Sequence, residues 1–166
     1  MLPAWIRSRH VFLGVFIVTA AMMGFGFWLQ YARGLEPCPL CMSQRIFIVL
    51  LGLTGLVAAV HGPRRPGVRI YSAFAALLCV AGGSISARHV WLQSLPPEQA
   101  PACGPDLAYM FDAFPLKDAL RLLLRGDGNC ATVDWSFLGL SIPAWTLAAF
   151  AGFALLVAWT GWRPRV

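Results

Sequence analysis

Charge is the scarcest thing in this chain. Asp, Glu, Lys and Arg make up 12% of its 166 residues, with seven acids against thirteen basic residues. Soluble domains carry roughly 25% charged residues. With 58% hydrophobic content and a mean hydropathy of +0.68, a water-soluble fold of this size could not hide its apolar surface. Several cofactor signatures are missing as well. There is no CxxCH haem motif, no GxGxxG and no iron–sulfur spacing, which removes motif-encoded haem, dinucleotide and cluster sites. No internal repeat and no low-complexity tract appears, and the length suits one domain, residues 1–166.

What is present in their place is long uncharged runs. Val11–Leu29 is nineteen residues without a charge, and Met42–Val60 is similar except for Arg45 near its start. Ile70–Ala87 and Ile142–Trp159 are uncharged too. A bilayer core of about 30 Å needs roughly 20 helical residues, so each run can span. The expected fold is an all-α membrane protein, a bundle of four transmembrane helices at about 11–29, 42–60, 70–87 and 142–159. The first run is too long for a signal h-region of about 7–15 residues, and no small-x-small cleavage pattern follows it. It is read as a retained helix.

The few charges are sorted by side. Arg7 and Arg9, Arg64, Arg65 and Arg69, and Arg163 and Arg165 share one side of a four-helix topology, with no acid among them. All seven acids (Glu36, Glu98, Asp106, Asp112, Asp118, Asp127 and Asp134) fall on the other. Lys and Arg in short loops mark the cytoplasmic side, so both termini should be cytoplasmic. The net charge of +6 is then a topology signal, and nucleic acid is not needed to explain it. The other side carries a short connection, about 30–41, and a long loop, about 92–141. In the loop, Leu116, Leu120, Leu123 and Leu124 recur at i, i+4, i+7 and i+8, between Lys117, Asp118, Arg121 and Arg125. That spacing predicts a short amphipathic helix stopped by Gly126. Such a helix can lie on the membrane surface or pack on the loop's own small core.

Four of the five cysteines, Cys38, Cys41, Cys103 and Cys130, fall on that outer, oxidising side, where disulfides persist. The fifth, Cys79, is mid-membrane and reads as a small apolar residue. In Cys38-Pro39-Leu40-Cys41, Pro39 suits the first helical position. Cys38 is then the N-cap and Cys41 the N3 residue, where free N–H groups and the helix dipole favour thiolate. At least one sulfur should therefore be acidic and reactive. Zinc is a competing reading, but its remaining ligands would have to be Cys103 and Cys130, at odd spacing and in an oxidising compartment; no metal is expected. An inert disulfide closing so short a loop would add little stability. The wide pair, Cys103 and Cys130, lies in a polar loop, with Cys103 in Pro101-Ala102-Cys103-Gly104-Pro105. It could be a structural staple or an exchanging disulfide.

Arg45 follows Cys41 by four positions, on the same helix face and about one turn inside the membrane boundary. It either snorkels to headgroups or supplies a fixed positive charge to a thiolate or an electron acceptor. His89, with Arg88 beside it, ends the third helix at the same depth. It could donate to a carbonyl oxygen or make an ordinary interfacial hydrogen bond. An acceptor dissolved in the membrane needs no motif beyond a lipid-facing pocket, and a quinone fits. Phe25, Phe27, Trp28, Phe47, Trp91 and Trp145 offer aromatic walls, although aromatics at these depths also form the usual interfacial belt.

Taken together, Pro37-Cys38-Pro39-Leu40-Cys41 followed by Arg45, the pair Cys103 and Cys130, and Asp134-Trp135-Ser136-Phe137-Leu138-Gly139-Leu140-Ser141-Ile142-Pro143-Ala144-Trp145 resemble the disulfide-bond formation protein B (DsbB) family of bacterial inner-membrane thiol–quinone oxidoreductases. The resemblance covers nearly the whole chain. It implies that Cys103 exchanges with a DsbA-like thioredoxin-fold partner in the periplasm and that Cys130 is its loop partner. It implies that Cys38–Cys41 reoxidises the loop pair, and that Cys41 passes electrons to ubiquinone or menaquinone beside Arg45, with His89 close by. Met42-Ser43-Gln44 departs from the Ile-Tyr-Glu of the best-known member, and Arg88 replaces an acid. A sibling oxidase with a dedicated substrate is the nearest alternative. A vitamin K epoxide reductase-like enzyme would carry its CxxC near the end of the bundle, not before the second helix. A non-catalytic membrane protein with structural disulfides is the alternative from another class.

Overall fold

In the computed structural model, residues 4–96, 98–102, 109, 112–133 and 135–162 are described. Four long helices dominate: α1 (Ala4–Arg33), α2 (Pro39–His61), α3 (Arg65–Gln93) and, after a long connection, α5 (Ile142–Trp162). The connection carries a short helix α4 (Leu116–Arg125), a 3₁₀ turn (Gly128–Cys130) and a hairpin of β1 (Ser136–Phe137) and β2 (Leu140–Ser141). All four long helices are long and apolar enough to cross a membrane. This is an all-α four-helix membrane protein, and four spans in series return both ends of the chain to one end of the bundle.

The helices outrun the uncharged stretches that announce them. α3 takes in Arg65 and Arg69 at one end and Arg88 and His89 at the other. Only the middle of a span must be uncharged; cationic ends reach the interface without breaking backbone hydrogen bonds. Helix ends follow local chemistry. Cys38 caps α2, its Sγ accepting from the Cys41 backbone N–H at 3.4 Å, with Pro39 opening the helix. Gly62, at φ 57°, closes α2 by donating to Ala58.

Small residues decide how the helices meet, since lipid offers no hydrophobic drive between spans. A Cβ on Gly55 would lie 2.8 Å from the Phe12 carbonyl, and one on Gly82 would lie 2.4 Å from the Phe150 ring. These contacts bring α1 onto α2 and α3 onto α5, while α2 packs on α3. Val15, Leu51, Ala75, Cys79, Phe150 and Val157 fill the shared core, so Cys79 sits buried among apolar side chains. α1 and α5 scarcely touch. The gap between them, at the end that carries the CxxC pair, is where a cavity opens.

α4 turns Leu123 inward and leaves Leu116, Leu120 and Leu124 exposed. Its end is tied to α3 by Arg88, whose Nε and Nη2 both donate to the Arg125 carbonyl, at 3.1 and 2.8 Å. Gly126, at φ 75°, then turns the chain against Leu40 and Leu92, too close for any Cβ. This pair of constraints delivers the Gly128–Cys130 turn onto the start of α2.

Candidate functional site: three sulfurs beside a cavity

The N-terminal turn of α2 places the Cys38 and Cys41 Sγ atoms 3.2 Å apart. Cys130 is fully buried against Leu40 and Leu92, with Cys38 packed beside it. The Cys130 and Cys38 side chains hydrogen-bond to one another. The three sulfurs therefore form a series, with Cys38 in the middle. The hydrogen bond with Cys130 pulls the Cys38 thiol down. The hydrogen bond that Cys38 donates to Cys41, together with burial, outweighs it and pushes Cys38 up to about 12. Cys130 is pushed well above the ordinary thiol range by its hydrogen bond with Cys38, by burial and by the nearness of Cys38 charge. Capping alone would have made Cys38 acidic; its hydrogen bond to Cys41 and burial reverse that.

His89, only 2% exposed, reaches this cluster from α3, with Nε2 3.7 Å from the Cys38 Sγ. Its other nitrogen, Nδ1, lies 3.2 Å from Nε2 of Gln44, itself 3% exposed. An amide NH₂ can only donate, so in this arrangement Nδ1 accepts and the ring proton sits on Nε2, facing Cys38. The Cys130 backbone is also within hydrogen-bonding reach of the ring. Gln44 was not singled out by the sequence; its place one helical turn after Cys41 was the available signal.

Arg45 turns towards α1. Its Nη1 donates to Gln30 Oε1 at 2.6 Å, its Nη2 donates to the Gly26 carbonyl at 3.2 Å, and the guanidinium lies 5.4 Å from the Phe27 ring centroid. Bound this way it forms part of the wall of a cavity of about 540 Å³, which Cys38, Cys41, Gln44 and His89 also line. That volume is in the range of small-molecule sites, roughly 300–1,000 Å³.

The aromatic wall differs from the one expected. Phe25 and Trp145 line the cavity, whereas Phe27, Trp28, Phe47 and Trp91 do not. Trp135 and Phe137 take part in their place. Trp135 meets Phe25 edge-on at 5.7 Å and stacks on Phe137 at 6.1 Å, and Trp145 Nε1 donates to the Phe137 carbonyl at 3.1 Å. The hairpin that presents them turns through Leu138 and Gly139, both at positive φ, as a two-residue turn between twisted strands demands. Gln93 ties the hairpin down, accepting from Ser141 Oγ at 2.6 Å and donating to the Thr132 carbonyl at 3.3 Å.

Cys103 lies outside the described residues. The chain that leads to it does not: the Gly128 N–H donates to the Ala102 carbonyl at 3.2 Å. Residue 102 is thereby pinned to the turn that holds Cys130.

Residues 8–160 match the family described as Disulfide bond formation protein DsbB. The chain is 49% identical over 166 residues to Disulfide bond formation protein B of Hahella chejuensis, covering 99% of this chain and all of that one. It is 54% identical over 155 residues to the protein of the same name from Saccharophagus degradans, covering 93% of each. Disulfide bond formation protein B 1 of Pseudomonas aeruginosa is 48% identical over 145 residues, covering 87% of this chain and 89% of the relative.

Proposed function

The chain belongs to the DsbB family of disulfide bond formation proteins, and from that premise we propose that it reoxidises a DsbA-like dithiol partner in the periplasm and passes the electrons to membrane quinone. The observation that carries this reading is the sulfur series. Cys130 touches Cys38, Cys38 touches Cys41, and Cys41 opens on the cavity beside Arg45. Disulfide exchange needs the attacking sulfur, the attacked sulfur and the leaving sulfur close together and in order.

The exchange balances as follows. The partner's two thiols reduce a Cys103–Cys130 disulfide; the partner becomes a disulfide and Cys103 and Cys130 become thiols. Cys130 attacks Cys38 of the Cys38–Cys41 disulfide, forming Cys38–Cys130 and releasing Cys41. Cys103 then attacks Cys130, which restores Cys103–Cys130 and releases Cys38. Two electrons and two protons have moved from the partner to Cys38 and Cys41. Cys41 leaves at the first turn of α2, where the helix dipole favours negative charge. Cys38 is a poor thiolate, and the Nε2 proton of His89 faces it. Arg45 holds positive charge at the cavity wall. A bound quinone, ubiquinone or menaquinone, would be held by Arg45, Trp145 and the Trp135–Phe137 stack, and would take up the two electrons and two protons of the dithiol, leaving as a quinol. The seven Arg on the opposite side orient both termini to the cytoplasm of an inner membrane.

The test is turnover of the purified protein with a reduced DsbA-like partner and added quinone. Partner thiols should disappear as quinol forms, and Cys41→Ser should abolish quinol formation. Turnover independent of quinone, or full turnover by Cys41→Ser, would overturn the proposal.

A further inference from the structure

We propose that the reduced site is also a binding site for a thiophilic divalent cation such as zinc, held by Cys38 Sγ, Cys41 Sγ and His89 Nε2. The sequence offers only Cys103 and Cys130 as companions for the CxxC pair; the fold supplies a histidine from α3. The three ligand atoms all lie within 4.8 Å of one another, with Sγ–Sγ at 3.2 Å and Sγ–Nε2 at 3.7 Å. Zinc at about 2.3 Å from sulfur and about 2.0–2.1 Å from nitrogen sets tetrahedral ligand edges of roughly 3.5–3.8 Å. The Cys38–His89 edge already matches, and parting the two sulfurs by about half an ångström brings their edge into the same range.

The surroundings suit the ion. Two thiolates and a neutral imidazole cancel a divalent charge in a buried place. The Cys41 backbone N–H already donates to the Cys38 sulfur. A metal-bound histidine needs an acceptor for its other N–H, and a half-turn of the Gln44 amide presents its oxygen to Nδ1. The Arg45 charge is drawn away by Gln30 and Gly26. The three ligands line one cavity, so the fourth position opens into it. A sulfur-rich set of this kind rejects magnesium and calcium, which take oxygen.

The site is gated by redox state. A Cys38–Cys41 disulfide has no thiolate to offer, whereas the dithiol exchanges two protons for one cation. Its regulatory meaning rests on the function proposed above: an ion held there ties up both thiolates and stops electrons leaving for the quinone. Binding itself does not depend on that function.

Cobalt(II) is the probe, added to full-length protein in detergent, reduced with a phosphine, in a Cys103→Ser/Cys130→Ser background. One equivalent should bring up sulfur-to-cobalt charge transfer and intense tetrahedral visible bands, and zinc should bleach them. Oxidised protein should give none. His89→Ala should weaken binding at least roughly tenfold, as should Gln44→Leu, and His89→Cys should restore it. Thiol counts equal to the parent's in His89→Ala and Gln44→Leu, and higher by one in His89→Cys, show that each variant keeps both CxxC thiols free. Absence of the bands with both thiols free, equal bands in oxidised protein, or unchanged affinity in His89→Ala would overturn the site. Cobalt binding in this background, with no quinone turnover by the unsubstituted protein, would leave the site standing and sink the function. Quinone turnover indifferent to saturating zinc would overturn the regulatory role.

Discussion

At the scale of single residues, the informative contacts join groups distant in sequence. His89 is useful only because Gln44 occupies one of its nitrogens and so aims the other at Cys38. Gln44→Leu leaves a buried nitrogen unpaired and frees the ring to change tautomer. The transfer from Cys130 to Cys38 should slow roughly tenfold, the worth of one hydrogen bond to a group that becomes charged. Rapid quenching and alkylation in a single turnover measures it, and an unchanged rate would make the hydrogen bond idle. Cys38, Cys41 and Arg45 were legible from the chain because capping and i+4 spacing are local. Gln44 was not, since a glutamine on a helix has no pattern of its own until its partner on another helix is placed.

At the scale of elements, glycine positions set the crossings. A Cβ at Gly82 would meet the Phe150 ring at 2.4 Å, whereas one at Gly83 would make only ordinary contacts at 3.7 Å and beyond. Gly82→Ala should therefore force α3 and α5 apart and cost about 1–3 kcal/mol, while its neighbour Gly83→Ala should be close to neutral. Thermal unfolding of both in the same detergent checks the contrast, and equal destabilisation would refute it. The four spans and α4 were legible from hydrophobic runs and 3.6-residue spacing. The hairpin was not. Its strands are two residues each and its turn puts Leu138, not Asn or Asp, at positive φ, so the familiar turn signal is missing. With the hairpin went Trp135 and Phe137, half of the aromatic wall.

At the scale of the whole molecule, a bundle closed on three sides and open on the fourth gives one compartment two kinds of access. The long connection brings Cys130 to the α2 terminus, and the α1–α5 gap opens Cys38 and Cys41 to the cavity. The orientation proposed from the arginines is testable with a phosphatase that matures only outside the cytoplasm. Fused after residue 63 it should stay inactive, and after residue 114 it should be active; the reverse pattern would invert the topology.

The sequence by itself determined the spans and the capping of α2 by Cys38. Membrane insertion sums transfer energies along the chain, and a helix cap involves only a few neighbouring residues. The tertiary structure alone decided that Cys130 meets Cys38, that Gln44 orients His89, that Arg45 turns to Gln30 and that Trp135 and Phe137 wall the cavity. Each of these depends on how close two helices approach or where a loop lands. Packing between distant segments settles that, and no local spacing encodes it.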